Sequence, residues 1–230
     1  MSAAELPKIW RDTQPGAWDS PVYEEFLRAV REVNSGRAAE SRLRIVAGDP
    51  PIDWSASDEQ IREWFEERDQ YAVSVIEREV LSRNRRALVV YGALHLCRRR
   101  AGTIVELLRG DERARWFVIV PVEGDSGAAG EPAWLDLAGS PVGGRDANDL
   151  FAKGAKKVKV VDGKMVLEPA QIFEPGVKLR DVADAGLCFG NGPPEFVPRP
   201  AGIAGSEYGR EIDRRRAILM RIARSERPHS

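Results

Sequence analysis

Apolar residues recur every three or four positions in several stretches of the chain, and this spacing predicts amphipathic helices. The longest of these helices runs from about Asp58 to Arg83. Ser57 and Gln60 form a capping box at its start, which places its N-terminus. Shorter helices are predicted at Pro21–Asn34, Thr103–Leu108 and Ser206–Arg224.

Apolar runs between the helices predict strands at Leu43–Ala47, Arg86–Tyr91, Arg115–Val122 and Ala185–Phe189. The run Arg86–Tyr91 has the continuously apolar pattern of a strand that is buried on both faces. The alternation of helix and strand predicts an α/β fold with a mainly parallel sheet and flanking helices. Asp162-Gly163 between two short apolar runs adds a C-terminal β-hairpin, which precedes the last helix.

The length of 230 residues suits one α/β domain or two small ones, and we interpret residues 1–230 as a single domain. Residues 123–153 are rich in Gly, Ala, Asp and Pro, so they are predicted to form a loop region. The 35 basic and 36 acidic residues leave a net charge of -1. A global field that would attract nucleic acid or an anionic membrane is therefore not expected.

The composition also bounds the location and the cofactors. No run approaches the roughly 20 apolar residues of a membrane span. Cys97 and Cys188 lie far apart without a metal-ligand spacing, so we interpret both as reduced thiols of a cytoplasmic protein. His95 and His229 are too few for a multi-histidine metal site, and we predict neither a metal nor a cofactor.

The candidate chemistry centres on an arginine in the middle of an apolar helix face. Arg68 projects near the centre of that face, and a buried charge costs several kcal/mol unless it is paired. His95 follows the strand Arg86–Tyr91 and is the only histidine in the body of the chain. Because imidazole titrates near neutral pH, His95 is the candidate to move a proton.

Ligands of open parallel sheets bind at the carboxyl ends of strands, and polar residues follow two of the predicted strands. We expect Asp49, Arg68, Asp69 and His95 to meet in one cleft. His95 would act as general base or metal ligand, Arg68 would bind an anionic group or an oxyanion, and a carboxylate would orient the imidazole. Further candidates for contact with a substrate are Asp53 and Trp54.

Each candidate also has a purely structural interpretation. His95 could be a satisfied loop histidine, and Arg68 could form a structural ion pair with Asp49 or Asp53. Asp49 and Asp53 could equally be turn or cap residues. Trp54 could belong to the core or to a cleft wall.

The chain resembles erythromycin-esterase-like proteins, which form one superfamily with ChaN-like haem-binding and Tiki/TraB-like proteins. The resemblance rests on Arg68-Asp69-Gln70-Tyr71-Ala72 followed by a strand and His95, and on a Gly92-x-x-His95 element. Three further stretches fit the esterase-like branch: Tyr23–Asn34, Leu43–Trp54 and Asp184–Gly190.

The chain departs from the family pattern at three points. A G-E-x-x-H motif on an early strand, whose Glu and His activate water in the family, has no counterpart before Asn34. Gly92 stands where a second histidine is usual, and Ala72 where methionine is usual. The chain therefore looks like the C-terminal portion of the family fold.

The resemblance implies a hydrolase in which His95 acts on water and Arg68 steadies an ester or similar small substrate. The missing Glu and His imply impaired activity and no macrolide esterase activity for this chain alone. One rival is a non-catalytic protein that binds a small ligand or haem, and another is a half-domain without activity of its own. The missing Glu and His favour these two rivals for the chain as given. We also expect a homo-oligomer, or association with a missing N-terminal half, because an uncovered strand attracts a partner.

Overall fold

The structure is a computed structural model that describes residues 21–122, 133–150, 156–161, 164–169, 171–188 and 205–225. These residues fall into two compact units. The first unit contains residues 21–47, 51–66 and 205–225, and the second contains Gly48–Pro50 and the described residues from Glu67 to 188. Helices and strands both occur, so the chain is an α/β protein, as predicted.

Three helices form the first unit: α1 (Pro21–Ser35), α2 (Asp58–Glu66) and α7 (Glu207–Ser225). The predicted capping box is present, since the backbone N–H of Gln60 donates to Ser57 Oγ and that of Ser57 donates to Gln60 Oε1, both at 3.3 Å. Ile61 of α2 packs against buried isoleucines of α7, and tryptophan rings flank this small core. The apolar stripes of two helices therefore supply the core of the first unit.

The long helix predicted from Asp58 to Arg83 is two helices. The first, α2, ends at Glu66, and α3 spans Arg68–Glu79 and is followed by a short 3₁₀ turn at Leu81–Arg83. The two apolar stripes pack on different cores, because Ile61 belongs to the first unit whereas Ala72 and Ile76 pack with Ile104 in the second. The chain passes from the first unit to the second at Glu67, which lies in neither helix.

A three-stranded sheet lies at the centre of the second unit. Its strands are β1 (Ile119–Val122), β2 (Ala133–Asp136) and β5 (Ala185–Cys188), in the order β1-β5-β2. β1 runs parallel to β5 and β2 runs antiparallel to it, so the expectation of a mainly parallel sheet is wrong for the described strands. The antiparallel strand comes from the region predicted as a loop, where Trp134 and Asp136 are exposed and alternate with partly buried neighbours.

A second, two-stranded sheet confirms the predicted hairpin strands. β3 (Lys156–Val161) pairs antiparallel with β4 (Lys164–Pro169), with Val161 opposite Lys164. The Asp162-Gly163 turn itself lies outside the described residues, as do Phe189, Gly190 and His229. The predicted final helix is confirmed as α7.

Short helices complete the second unit: α4 (Ala93–Leu96), α5 (Ile104–Leu107) and α6 (Leu179–Val182). The Thr103 side chain caps α5 by accepting from the backbone N–H of Glu106. Within the described parts of the chain, no helix is both long enough and apolar enough to cross a membrane.

Two predicted strands are absent from the structure. Residues 43–47 and 86–91 are described, and neither stretch pairs in a sheet. Leu43, Ile45, Leu88 and Val90 are exposed instead of buried. The prediction failed because apolar sequence sets the tendency to form a strand, whereas a strand needs a neighbour to accept and donate its hydrogen bonds.

The 3₁₀ turn Pro141–Gly144 provides a test of packing in the second unit. A Cβ at Gly143 would lie 1.8 Å from the backbone oxygen of buried Leu137, whereas a Cβ at Gly144 would meet only the end of the Arg180 side chain at 3.6 Å. Gly143→Ala should therefore lower the free energy of unfolding by about 3 kcal/mol, because overpacking moves the backbone. Urea denaturation measures this change, and an equal effect of the matched Gly144→Ala control would contradict the packing described.

Candidate functional site

An ion pair between Arg68 and Asp49 anchors the site in the second unit. Arg68 Nε donates to Asp49 Oδ1 at 2.6 Å, and Arg68 Nη2 donates to Asp49 Oδ2 at 3.0 Å. The Arg68 side chain is 14% exposed, so the predicted burial of the guanidinium with an acidic partner is confirmed. The paired geometry matches the fork of a guanidinium to both carboxylate oxygens, which is the strong form of this interaction.

Tyr91 joins this pair at the end of the apolar segment that precedes α4. Its hydroxyl lies 2.6 Å from Asp49 Oδ1 and 2.9 Å from the carbonyl oxygen of Gly48, both of which accept. The guanidinium carbon of Arg68 lies 5.0 Å from the centre of the Tyr91 ring. The ring therefore contacts the cation while the hydroxyl contacts its counter-ion.

A second pair joins Asp69 and His95. Asp69 Oδ1 lies 2.5 Å from His95 Nδ1, and the Asp69 residue is buried. Because a carboxylate accepts, this hydrogen bond places the imidazole proton on Nδ1. His95 Nε2 has no hydrogen-bond partner within the described residues, so its lone pair is left for another group.

The local backbone explains why adjacent residues reach different partners. Arg68 and Asp69 are the first two residues of α3, and successive side chains on a helix project about 100° apart. Asp69 also lies in the first helical turn, where the helix dipole favours a carboxylate. One helix start therefore supplies the cation of one pair and the anion of the other.

The neighbours of His95 hold its ring in place. The Tyr91 ring meets the imidazole edge to face, with centroids 5.5 Å apart and planes inclined at 76°. A Cβ on Gly92 would lie 3.3 Å from His95 Cδ2, so a glycine at this position lets the ring approach the backbone. Tyr91 thus contacts members of both the Arg68–Asp49 ion pair and the Asp69–His95 hydrogen-bonded pair.

The electrostatic environment keeps the Arg68 guanidinium and the Tyr91 hydroxyl protonated. Burial raises the pKa of the Tyr91 hydroxyl, and the Asp49 carboxylate raises that pKa further. Burial acts to lower the pKa of Arg68, but the hydrogen bonds and charge of Asp49 outweigh it, so the pKa of Arg68 is raised. Arg68 is therefore a permanent cation and Tyr91 a neutral donor near neutral pH.

Cys97 is close to His95 in sequence but is not a nucleophile. Its side chain is fully buried, and burial raises the pKa of the thiol to about 12. The reactive species of a cysteine is the thiolate, which is scarce near neutral pH at such a pKa.

The structure brings together four of the six predicted site residues: Asp49, Arg68, Asp69 and His95. Asp53 and Trp54 belong to the first unit. Asp53 accepts hydrogen bonds from the backbone N–H and hydroxyl of Ser55, which is the turn role considered for it, and Trp54 flanks the core of that unit.

The described residues contain no cluster of three or more His, Cys, Asp or Glu side chains that could hold a metal ion. A surface recess of about 460 Å³ in the second unit is lined by residues that include Phe117, Trp134 and Arg180 but not His95. The site is therefore defined by its paired ionisable groups and not by this recess.

Compared with protein-family models, curated proteins and solved structures, the chain shows no significant match to any of them. The resemblance to erythromycin-esterase-like proteins stays a prediction for that reason. The chemistry of the site is argued from its geometry.

The arrangement supports general-base chemistry at one nitrogen. An imidazole whose Nδ1–H is held by a carboxylate presents Nε2 as a proton acceptor, and the carboxylate stabilises the imidazolium that forms.

Tyr91 is the member of the site that the sequence did not reveal, because it ends an apolar run and looked like a core residue. The available signal was its polar tip, since a buried tyrosine hydroxyl needs a partner.

Tyr91→Phe tests whether the hydroxyl is part of this network. The change keeps the ring and removes the hydrogen bond to the Asp49 carboxylate, so we expect the free energy of unfolding to fall by about 1–2 kcal/mol. Tyr71→Phe is the matched control, because the Tyr71 hydroxyl has no hydrogen-bond partner within the described residues and its loss should have little effect. Urea unfolding of both variants gives the comparison, and equal values would rule out the Tyr91–Asp49 hydrogen bond.

Proposed function

We propose that the chain is a hydrolase that cleaves a small ester or a similar acyl compound, with His95 as the general base. The observation that carries the proposal is the contact of 2.5 Å between Asp69 Oδ1 and His95 Nδ1. It fixes the proton on Nδ1 and leaves Nε2 to accept a proton from water.

In the proposed reaction, His95 Nε2 removes a proton from a water molecule as the water oxygen attacks the acyl carbon. The carbonyl oxygen gains the negative charge of the tetrahedral intermediate. The leaving alcohol then takes the proton from the imidazolium as the bond between carbon and leaving oxygen breaks. Asp69 stays ionised throughout and stabilises the imidazolium.

Arg68 has a narrower role than the sequence suggested. Asp49 accepts from Nε and from one N–H of Nη2, which leaves both N–H groups of Nη1 and the second N–H of Nη2 to donate to an oxyanion. The charge of Asp49 also offsets that of Arg68. Arg68 is thus proposed chiefly to hold the Asp49 and Tyr91 wall beside His95, with its remaining N–H groups as the donors to substrate.

The second candidate is a non-catalytic protein that binds a small ligand or haem. The ion pair of Arg68 with Asp49 favours this second candidate, because a guanidinium that is paired with a carboxylate attracts an anionic substrate less strongly. The two candidates differ in whether His95 is needed for turnover or merely for contact with a ligand.

The proposal includes a cytoplasmic location. It is supported by Cys97 and Cys188, which are both buried thiols and not halves of a disulfide. Reduced thiols are the usual state of cysteines in the cytoplasm.

Hydrolysis of 4-nitrophenyl acetate by the purified chain tests the proposal. His95→Ala should lower kcat/KM by about a hundred- to ten-thousand-fold, which is the usual contribution of a positioned base. Asp69→Asn should lower kcat as well, because an amide neither fixes the Nδ1–H tautomer nor stabilises the imidazolium.

His229→Gln is the matched control, since it removes the other histidine and should keep the activity. The free energy of unfolding is measured for every variant. Hydrolysis that persists in His95→Ala, or that falls only as far as the folded fraction falls, would overturn the proposal. Macrolide lactones are not expected to be cleaved, because the family's G-E-x-x-H residues have no counterpart here.

A further inference from the structure

A groove lies beside α1 in the first unit, and we call it the α1 groove. Part of its lining comes from α1, where Leu27 is buried and Val30 is half-buried. The rest comes from the segment that follows the 3₁₀ turn Ala39–Ser41 and includes Leu43 and Ile45. The α1 groove has a volume of about 430 Å³, which is within the range of sites for small ligands.

The side chain of Asn34 joins the two parts of this lining. Asn34 Oδ1 accepts from the backbone N–H of Leu43 at 2.8 Å, and Asn34 Nδ2 donates to the carbonyl oxygen of Leu43 at 2.9 Å. A residue of α1 thus satisfies both hydrogen-bonding groups of the Leu43 backbone. The chain itself holds the lining of the α1 groove together, which lowers the ordering cost of binding.

The apolar part of the lining leaves surface in water. Leu43 and Ile45 are 49% and 50% exposed. Exposed apolar side chains that line a recess mark a place where binding can remove apolar surface from water. An alkyl chain suits such a lining, because it needs no hydrogen-bond partner and each buried CH₂ group favours binding.

The charged part of the lining has one sign. The described residues that line the α1 groove include Arg31 and Arg42 and no acidic residue. Arg42 Nε donates to the carbonyl oxygen of Arg37 at 3.2 Å, so its two terminal nitrogens are left to donate to another acceptor. Within the described part of the chain, neither Arg31 nor Arg42 forms an ion pair. Charge complementarity therefore selects an anionic head group, and guanidinium groups form charge-assisted hydrogen bonds with a carboxylate.

We infer that the α1 groove binds a single-chain alkyl carboxylate such as dodecanoate. The alkyl chain lies along the four apolar residues of the groove, and the carboxylate lies against Arg31 and Arg42. A membrane surface suits the groove less well, because contacts with a bilayer use an apolar face that lies flat on the lipid. The α1 groove belongs to the first unit and His95 to the second, so the inference does not depend on the proposed hydrolase activity.

Isothermal titration calorimetry of the full chain tests the chemistry of the ligand. From octanoate to dodecanoate, each added CH₂ group should lower the Kd about two- to fourfold, as expected for partial to full burial. Dodecyltrimethylammonium has the same chain and the opposite charge, so it should bind at least about tenfold more weakly than dodecanoate. The absence of saturable binding of dodecanoate, or equal affinity for the two head groups, would overturn the inference.

The two arginines are tested together. Arg31→Gln/Arg42→Gln should raise the Kd for dodecanoate about tenfold, because an exposed ion pair contributes a factor of up to about five. The matched control is Arg28→Gln/Arg44→Gln, which removes one arginine from α1 and one from the other segment, neither of them among the lining residues. The control changes the net charge equally and should leave the Kd within about twofold of the wild type. Equal effects of the two double variants would contradict the assigned position of the carboxylate and overturn the inference.

The apolar lining is tested by Ile45→Glu, with Val46→Glu as its control. Val46 is the next residue and is 42% exposed, but it does not line the α1 groove. Ile45→Glu should raise the Kd for dodecanoate at least about tenfold, because it removes apolar contact and places a like charge in the groove. Val46→Glu should bind as the wild type does. Unchanged binding by Ile45→Glu, or equal losses in the two variants, would overturn the inference.

Two further measurements separate a free carboxylate from other occupants of the groove. The full chain should not sediment with phosphatidylglycerol vesicles at physiological salt. Sedimentation with vesicles that Ile45→Glu abolishes and Val46→Glu keeps would assign the α1 groove to a membrane surface and overturn the inference. A dimer of the chain that Ile45→Glu alone dissociates would overturn it in favour of a second copy.

Discussion

Arg68 has to keep its charge while most of its side chain is out of water, and the arrangement of the site follows from this constraint. A carboxylate must meet it, and Asp49 does so with both oxygens. This contact between Asp49 and Arg68 places Gly48–Pro50 in the second unit, although the residues on either side of that segment belong to the first unit. The Asp49 carboxylate then needs a further donor, which Tyr91 supplies. Asp49 thus satisfies the guanidinium of Arg68, and Tyr91 satisfies the carboxylate of Asp49, as polar groups removed from water require.

The break between α2 and α3 gives the Asp69–His95 pair its position. It makes Arg68 and Asp69 the first residues of a new helix instead of the middle of a long one. A carboxylate in a first turn is stabilised by the backbone N–H groups that have no helical partner. The first turn of α3 thus gives the Asp69 side chain a favourable position from which to hold His95.

Much of the site was predictable because its parts obey local rules. The burial of Arg68 follows from helical periodicity, and its need for an acid follows from the cost of a buried charge. The capping box placed the start of α2 from Ser57 and Gln60 alone. Tyr91 was not predictable in this way, because its role depends on Asp49, which lies 42 residues away in sequence. The mixed sheet also escaped prediction, since β2 is set by its pairing with β5 and not by its own composition.

The segment Arg86–Val90 leads directly into Tyr91, which belongs to the site. Its apolar composition predicted a strand, but the segment pairs in no sheet of the described residues. The same alternation that exposes Leu88 and Val90 turns Val89 and Tyr91 towards the core. Because Val89 and Tyr91 pack against the core, this segment fixes the position of the Tyr91 ring. The Tyr91 ring in turn contacts the imidazole of His95, so the packing of one short segment positions a member of the site.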